Sequence, residues 1–398
     1  MRFPEFHGEW EKCKLGDIAT LTKGSGISKD QRSATGTPCI LYGELYTTYK
    51  SEVINYVVSK TDISDKNLVR SCANDIIIPS SGETAIDIST ARCVLSPDVL
   101  LGGDLNIIRL KDGDGRFFSY QLNGVRKHDI AKIAQGVSVV HLYGESIKGL
   151  TVSFPSNKEQ QKISTLLSLI DERIATQSKL IEKLESLIKG MEDNLLDNPL
   201  WEKTYLRSFM QFFPTNSLSW EQLSYKEGAI RNLHYGLIHG LQTRGINSAS
   251  LPMIKNEAIP KQYTLCQVGD VAFADASEDT GEIAKSVEFV DTIEGDTICG
   301  LHTIHGREIK NRTVVGFKGF AFNSCYFHNQ IKRLAQGTKE FSITANNLSS
   351  CYVYLPDLET QKAIVNLLKT YEAKLLVNKR LLEHYEKQKQ YLLRQMFI

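Results

Sequence analysis

The histidines and cysteines are the residues whose side chains could bind a metal or transfer protons. His302 and His305 are separated by two residues, but no carboxylate stands at the spacing that a metalloprotease requires. His234 and His239 likewise have no further ligand beside them in the sequence. The eight cysteines stand singly and none forms a Cys-x-x-Cys pair. We therefore expect ordinary histidines, reduced thiols and no metal site.

Motifs for group-transfer chemistry are incomplete. The run Asn198-Pro199-Leu200-Trp201 has part of the Asn-Pro-Pro-aromatic pattern of adenine methyltransferases, but the second proline and an upstream Gly-rich cofactor loop are missing. The run is better explained as the end of a helix. No Gly-x-x-x-x-Gly-Lys-Ser/Thr loop for a nucleotide phosphate is present. The sequence therefore predicts that this chain is not itself an enzyme.

The charge pattern favours a polyanion partner only locally. The formal net charge is +1. Residues 303–339 nevertheless carry seven basic groups against one acidic group, and residues 105–133 carry six against three. A solvated basic face explains each cluster equally well when it is taken alone. Because the two clusters occupy matching places in an internal repeat, we favour a function in binding nucleic acid.

The repeat relates the first half of the chain to the second with an offset of 201 residues. Segment 134–167 recurs as segment 335–368 without a gap. Both copies contain Ala-Gln-Gly, then a Pro, and then the spacing Gln-(x)2-Ile-(x)2-Leu-Leu, which ends at Leu167 and Leu368. The sequence therefore predicts two similar units, each followed by a similar helix.

The first helix is predicted over residues 156–197. Ser156 and Glu159 form a capping-box pattern after Pro155, and Asn198-Pro199 ends the helix. Its a/d seam follows 4,3 spacing with one polar interruption. The seam consists of Ile163, Leu167, Ile170, Ile174, Gln177, Ile181, Leu184, Ile188, Met191 and Leu195.

The second helix repeats this pattern after Pro356, with Asp357 as the expected N-cap. Asn378 occupies the same seam position as Gln177, and Lys389 interrupts the seam again, which predicts a frayed end there. The two helices carry opposite charge balances, so we expect them to pair in an antiparallel coiled coil. The second seam consists of Ile364, Leu368, Tyr371, Leu375, Asn378, Leu382, Tyr385, Lys389, Leu392 and Met396.

These features predict an α+β fold with an internal pseudo-twofold repeat. Residues 1–154 and 199–355 should form two similar mixed α/β domains of short strands and irregular loops. Residues 155–198 and 356–398 should form the two long antiparallel coiled-coil helices that separate the domains. No stretch approaches a membrane span, and residues 1–5 have no apolar signal core, so we expect a cytoplasmic protein.

The doubled arrangement resembles the DNA specificity subunit of type I restriction-modification systems across essentially the whole chain. The resemblance is carried by the two Pro-(x)4-Gln-(x)2-Ile-(x)2-Leu-Leu runs, the Ala-Gln-Gly runs, the strands that Asp75 and Asp270 open, and Tyr42-Gly43-Glu44-Leu45. No single motif is diagnostic, but the doubling is specific. The second unit departs from the first at 274–276, where Ala-Asp-Ala replaces Pro-Ser-Ser.

The resemblance implies two target recognition domains, each of which reads one half of a bipartite site in double-stranded DNA. It also implies that the paired helices dock two methyltransferase subunits, and that two motor-nuclease subunits join for restriction. S-adenosylmethionine, ATP and Mg²⁺ would then bind the partner subunits, and this chain would hold no cofactor.

Base readout requires polar side chains on loops, with Lys and Arg holding phosphates nearby. In the first unit we predict base contacts by Tyr42, Glu44, Ser80, Ser81, Glu83 and Ser138, and phosphate contacts by Lys23, Arg109 and Lys132. In the second unit we predict base contacts by Asp275, Ser277, Glu278, His302 and Lys339, and phosphate contacts by Arg312, Lys332 and Arg333. Ordinary exposed loop residues remain the alternative for each.

Two other functions fit parts of the sequence. A coiled-coil scaffold that carries two protein-binding units would show the same repeat and would retain no DNA duplex. A stand-alone methyltransferase is disfavoured by the missing cofactor loop.

Overall fold

A computed structural model describes residues 1–63, 67–241, 244–291, 293 and 295–397. The chain divides into two compact units. Unit 1 comprises Met1–Ser178 and Leu381–Ile398, and unit 2 comprises Lys179–Arg380. Both boundaries fall inside a long helix, so each unit contains part of each helix.

Unit 1 is built around an antiparallel sheet. Its described strands are β1 (Glu11–Lys14), β2 (Ala19–Lys23), β3 (Thr37–Ile40), β4 (Val53–Ile54), β5 (Lys60–Thr61), β6 (Asp75–Pro79), β7 (Ser81–Gly82), β8 (Arg92–Val94), β9 (Leu100–Leu101), β10 (Leu105–Leu110), β11 (Val140–His141) and β12 (Thr151–Phe154). Its short helices are α1 (Leu15–Ile18), α2 (Glu44–Thr47), α3 (Ala85–Ile88), α4 (Gly115–Asn123), α5 (Lys127–Ile133) and α6 (Gly144–Lys148). The main sheet has the order β2-β10-β6-β8-β4, in which only the outer β4–β8 pair is parallel.

The first long helix, α7 (Asn157–Leu196), follows unit 1's last strand. Unit 2 then has the described strands β13 (Glu202–Tyr205), β14 (Met210–Phe213), β15 (Leu223–Ser224), β16 (Ile230–Leu233), β17 (Gly245–Ile246), β18 (Met253–Ile254), β19 (Val271–Ala274), β20 (Ala276–Ser277), β21 (Ser286–Phe289), β22 (Thr297–Cys299), β23 (Thr303–Glu308), β24 (Phe341–Ser342) and β25 (Tyr352–Leu355). Its short helices are α8 (Tyr235–Gly240), α9 (Phe317–Ala321), α10 (Cys325–Leu334) and α11 (Ala345–Ser350). The second long helix, α12 (Leu358–Gln395), begins in unit 2 and ends in unit 1.

The two units share one topology. The main sheet of unit 2 has the order β14-β23-β19-β21-β17, which matches unit 1 strand for strand, and its outer β17–β21 pair is again parallel. In both units the central strand is fully buried, as a strand covered on both faces must be. The expected α+β class and internal repeat are therefore confirmed.

The long helices run antiparallel. In unit 2, Lys379 of α12 pairs with Glu185 of α7 at 2.7 Å. Arg244 lies 3.6 Å from Glu192 and donates its backbone N–H to Glu372 at 3.2 Å. The contacts therefore advance along α7 while they retreat along α12.

The helix starts agree partly with the capping patterns. Asp357 accepts the backbone N–H of Thr360 at 2.9 Å, as an N-cap does. The Glu159 carboxylate instead pairs with Arg2, so the expected capping box with Ser156 is wrong. The N-terminal segment offers the Arg2 guanidinium there, which donates to both carboxylate oxygens and carries a full opposite charge.

Each seam begins inside a globular core. Ile163, Leu167 and Ile170 pack in the main core of unit 1, while Ile364 and Leu368 pack in that of unit 2. Further along α7, Ile181, Leu184 and Gln177 are buried. On α12, Tyr371, Leu375, Asn378 and Leu382 are only half-buried.

The expected fraying at Lys389 is wrong. α12 remains helical to Gln395, and Leu392 and Met396 join the core of unit 1. The Lys389 ammonium pairs with Asp171 at 2.6 Å and also with Glu52, so the polar seam position is satisfied by two carboxylates. Across the described part of the chain, no helix has both the length and the apolarity to cross a membrane.

Candidate nucleic-acid interface

Four separate segments of unit 1 meet at one face, which we call loop face 1. They are Tyr42 just before α2, the Ser80–Glu83 loop after β6, Asp104 before β10, and the 135–141 hairpin. Ser80 donates its N–H to the Asp104 carbonyl at 2.7 Å and accepts from the Leu142 N–H at 2.9 Å. β7 pairs with β11, which fixes the loop against the hairpin.

The hairpin explains the Ala-Gln-Gly runs. Gln135 and His141 exchange two backbone hydrogen bonds, and Gly136 has a φ of 124°. A Cβ there would lie 2.1 Å from the Val139 carbonyl oxygen, so only glycine fits this tight turn. The turn leaves Val137 97% exposed and Ser138 exposed beside it. Gly337 has the same role in unit 2, with a φ of 129°.

A cavity of about 1010 Å³ opens between Tyr42 and Asp104. Arg32, Lys29 and Tyr46 also line it, and the sequence analysis missed all three. Only Arg32 and Lys29 add positive charge, and both are exposed. The sequence pattern did not indicate Arg32 and Lys29, because they lie outside the basic cluster at 105–133.

Unit 2 brings the equivalent segments together in loop face 2. Asp275 donates its N–H to the His302 carbonyl at 3.0 Å and accepts from the Ile343 N–H at 3.0 Å, as Ser80 does in unit 1. The His302 ring contacts the Asp275 carboxylate at 3.1 Å. Burial raises the pKa of Asp275 above its ordinary value, although the His302 contact opposes this. β20 pairs with β24, which places Ser277 beside the 336–342 hairpin.

Tyr235 belongs to loop face 2 and was missed by the sequence analysis. Its ring packs edge-on against His302, with 5.3 Å between ring centroids. Tyr235-Gly236 starts α8 as Tyr42-Gly43 starts the corresponding turn of unit 1. Tyr42 and Tyr235 are offset by 193 residues rather than 201, so only an alignment with gaps could have matched them.

Two predicted base contacts of unit 1 are turned inward. Glu44 is 6% exposed, and its carboxylate accepts from the Leu41 N–H at 2.8 Å and from the Ser59 hydroxyl. Ser80 is 7% exposed and donates to Asp104. We correct their roles: both hold loop face 1 in place, while Tyr42, Ser81, Glu83 and Ser138 offer their side chains to solvent at least in part.

The predicted base contacts of unit 2 lie together. Asp275 and Ser277 are half-buried, while Glu278, His302 and Lys339 are exposed. All five belong to the loop after β19, the residue before β23, or the hairpin.

The predicted phosphate contacts divide into two groups. Lys23, Lys132, Lys332 and Arg333 are exposed, and the last three stand on the helices that lead into the hairpins. Arg109 instead stands near the far end of β10, roughly 16 Å of strand from Asp104, and pairs with Asp75 at 2.7 and 2.8 Å. Arg312 lies beyond the far end of β23 and pairs with Glu202 at 2.6 Å. The structure does not bring these two arginines to the loop faces.

Comparison with known proteins decides the family. The family model described as "Type I restriction modification DNA specificity domain" matches residues 7–186 and 300–386, more than half of the chain. The chain belongs to this family. It is a type I restriction-modification specificity subunit, and a role in DNA recognition fits this family.

Two curated relatives from Methanocaldococcus jannaschii match this specificity subunit along nearly its whole length. The type I restriction enzyme MjaVIII specificity subunit is 24% identical, over 97% of this chain and 93% of the relative. The putative type I restriction enzyme MjaX specificity subunit is 25% identical, over 97% and 92%.

Solved structures share the fold of the specificity subunit. The type I restriction-modification S subunit from M. genitalium superposes with a TM-score of 0.63 and 16% identity, covering 100% of this chain and 99% of that one. A chain from a study of complex assembly and conformational transition in the type I R-M system gives 0.57 and 13%, covering 98% and 97%.

Proposed function

We propose that loop faces 1 and 2 each read one half of a bipartite DNA target. The observation that carries this proposal is the convergence of the same four segments in both units with different side chains. Ser80 and Asp104 of unit 1 correspond to Asp275 and His302 of unit 2, whereas Tyr42 and Tyr235 match. A common framework with different polar groups selects different bases.

Each loop face has basic side chains for DNA phosphates and polar side chains for base edges. Lys132 in unit 1, and Lys332 and Arg333 in unit 2, stand on helices before the hairpins, where they can hold the DNA backbone. The hairpin tips and the loops after the central strands carry hydroxyl, carboxylate and imidazole groups for base edges. His302 and Asp275 form a donor–acceptor pair of this kind.

The helices α7 and α12 dock the partner subunits in this proposal. Leucines lie exposed on both helices away from the buried seam positions, and such apolar side chains are available for contacts with another protein. They include Leu169, Leu180 and Leu187 on α7, and Leu367 and Leu381 on α12, each between 38% and 52% exposed. Two methyltransferase subunits would dock there and two motor-nuclease subunits would join them.

Catalysis belongs to the partners. S-adenosylmethionine, ATP and Mg²⁺ would bind the methyltransferase and motor subunits, and this chain would determine which DNA sequence the assembly binds. We place the assembly in the cytoplasm, where it meets chromosomal DNA.

The test exchanges equivalent residues between the loop faces. His302→Asp gives unit 2 the residue that unit 1 has, and Asp104→His is the reciprocal change. Each chain is co-expressed with a methyltransferase partner, and the modified adenines of the host genome are mapped by methylome sequencing. We expect each variant to change or relax only one half-site. A change in both half-sites, or unaltered targets, would contradict the assignment.

A gel-shift experiment separates DNA recognition from the scaffold alternative. The full chain, with and without the methyltransferase partner, is incubated with random-sequence duplexes. We expect selective retention of duplexes that share a bipartite sequence. Retention of no duplex by the mixture supports the scaffold.

A further inference from the structure

Three buried side chains of unit 2 bring two sulfur atoms and an imidazole together. The Cys266 and Cys299 sulfurs lie 3.6 Å apart. A ligand atom of His305 completes a group whose members all lie within 4.8 Å of one another. The three residues are 7%, 3% and 1% exposed. Within the described ranges of the chain, this is the one His, Cys, Asp and Glu group of three with metal-binding spacing.

The fold does not require these residue types. Unit 1 offers a direct comparison, because Asp75 pairs with Arg109 just as Asp270 pairs with Arg307. Counting back from these anchors, Ser71, Leu101 and Ile107 occupy the places of Cys266, Cys299 and His305. The Ser71 N–H donates to the Val99 carbonyl and the Cys266 N–H to the Thr297 carbonyl, both at 2.8 Å, so the alignment holds.

In unit 1 these positions form ordinary core. Leu101 and Ile107 pack in an apolar cluster, and the Ser71 hydroxyl donates to the Ser96 carbonyl at 2.8 Å. Unit 2 replaces two apolar side chains and a hydroxyl with two thiols and an imidazole, all of which can bind a metal ion. The exchange leaves the strand pairing unchanged, so the fold itself does not require the two thiols and the imidazole.

One ring nitrogen of the His305 imidazole is held by a carboxylate. The His305 Nε2 lies 2.7 Å from Asp270 Oδ2, and Arg307 holds the same carboxylate at 2.9 and 2.7 Å. An ionised carboxylate accepts from Nε2–H, which leaves the Nδ1 lone pair for a metal. Carboxylate–histidine pairs of this kind orient the ligand at zinc sites.

The sulfur separation suits a tetrahedral ion. Zinc–sulfur bonds of about 2.3 Å in a tetrahedron place two sulfurs roughly 3.8 Å apart. The observed 3.6 Å is close to this value and well beyond a disulfide bond of about 2.05 Å. A cavity of about 450 Å³ touches Cys299 and His305 and reaches the exposed residues Gln262 and Tyr263, so an ion and a water molecule have a route inward.

We propose that Cys266, Cys299 and His305 bind a zinc ion in unit 2, with a water molecule from the cavity as the fourth ligand. Each thiol releases its proton to solvent as its sulfur binds, so two protons leave and no oxidant is needed. The ion joins the 266 segment, β22 and β23 behind loop face 2, and it should stabilise unit 2. The two cysteines are 33 residues apart, which explains why sequence spacing predicted no metal site.

Cobalt(II) tests the site because it binds the same ligands and reports its geometry by absorption. The full chain is stripped of metal under reducing conditions and titrated with Co²⁺. We expect one cobalt ion per chain, with sulfur-to-cobalt charge-transfer bands and the visible bands of a tetrahedral complex. One equivalent of Zn²⁺ should remove these bands, and zinc should raise the melting temperature of unit 2.

Two variants and one control keep the test decisive. The first variant is Cys266→Ser alone. The second is a triple variant that combines Cys266→Ser with Cys299→Leu and His305→Ile. Both introduce residues that unit 1 has at the equivalent positions, so we expect folded chains without the cobalt bands. Cys351→Ser removes a buried thiol outside the group and should retain them. Absence of sulfur–cobalt bands in the reduced native chain overturns the proposal, as does their persistence in the folded triple variant. A disulfide between Cys266 and Cys299 in the chain isolated under reducing conditions also overturns it.

Discussion

At the scale of single residues, buried charges in both units are matched by close partners. In unit 2, the Lys318 ammonium lies 3.1 Å from Glu288 and 3.3 Å from Glu308, and Lys318 is 2% exposed. In unit 1, Lys389 holds Asp171 and Glu52. Such groups contribute little net stability over apolar residues, but removing one partner leaves an uncompensated charge.

Lys389→Met tests this cost in unit 1. Two buried carboxylates would lose their cation, and we expect the free energy of unfolding to fall by about 3–5 kcal/mol. Lys387→Met, at an exposed position two residues earlier, should change it by less than about 0.5 kcal/mol. Urea unfolding, monitored through amide hydrogen exchange in unit 1, measures the change in both variants. Equal effects would show that the pairing with Glu52 and Asp171 is not responsible.

Glu372 gives unit 2 a pH-dependent stability. Burial raises the pKa of Glu372 to about 7 from its ordinary value of 4.5, although Arg244 opposes the shift. Between these values the unfolded chain releases the proton while the folded chain retains it. The free energy of unfolding should therefore fall as pH rises from about 4.5 to about 7.

Glu372→Gln should make that slope shallower, because the amide stays neutral at every pH. Glu383→Gln, at an exposed position of the same helix, should leave the slope unchanged. Urea unfolding of unit 2 at several pH values provides the measurement. An unaltered slope in the Glu372 variant would assign the effect to another group, such as Glu192, since burial raises its pKa too.

At the scale of elements, the long helices serve two purposes along their length. Their first turns complete the cores of the globular units, and their later turns pair with each other. The adjacent residues Leu367 and Leu368 differ in their surroundings: Leu368 is fully buried in the core of unit 2, whereas Leu367 is 41% exposed and is one of the leucines proposed to contact a partner subunit.

Leu368→Ala should lower the free energy of unfolding of unit 2 by about 2–5 kcal/mol, because it leaves a cavity in the core. Leu367→Ala should leave stability nearly unchanged and weaken co-purification with the methyltransferase partner. Chemical denaturation and a pull-down from cells that express both subunits measure the two outcomes. If Leu367→Ala binds the partner normally, docking does not use this part of α12.

At the scale of the whole molecule, the helices are proposed to set the spacing between half-sites. One heptad inserted after Ser178 and one after Arg380 would lengthen both helices by about 10 Å, or about three base pairs. Methylome sequencing should show unchanged half-sites and a longer spacer. Insertion of seven residues into the exposed segment at 225–227 is the control and should leave the spacer unaltered. Altered half-sites in the lengthened chain would mean that recognition and spacing are not separate.

The sequence by itself determined the features that depend on short-range patterns. Helical periodicity and the Asp357 cap are local patterns, and the repeat is found by comparing the two halves of the sequence. Together they predicted two units, two long helices and the family. Gly136 and Gly337 were visible as a repeated motif, although their reason, a turn that excludes any Cβ, was not.

Only the tertiary structure decided which distant residues meet. Tyr235 and His302 are 67 residues apart, and Cys266 and Cys299 are 33 apart, yet sheet pairing brings each set into contact. Likewise, Arg109 belongs to the basic cluster in sequence but stands at the far end of its strand, and Lys389 interrupts a seam but finds two carboxylates. Strand register and helix packing fix such neighbours, and both depend on contacts between segments that no local pattern records.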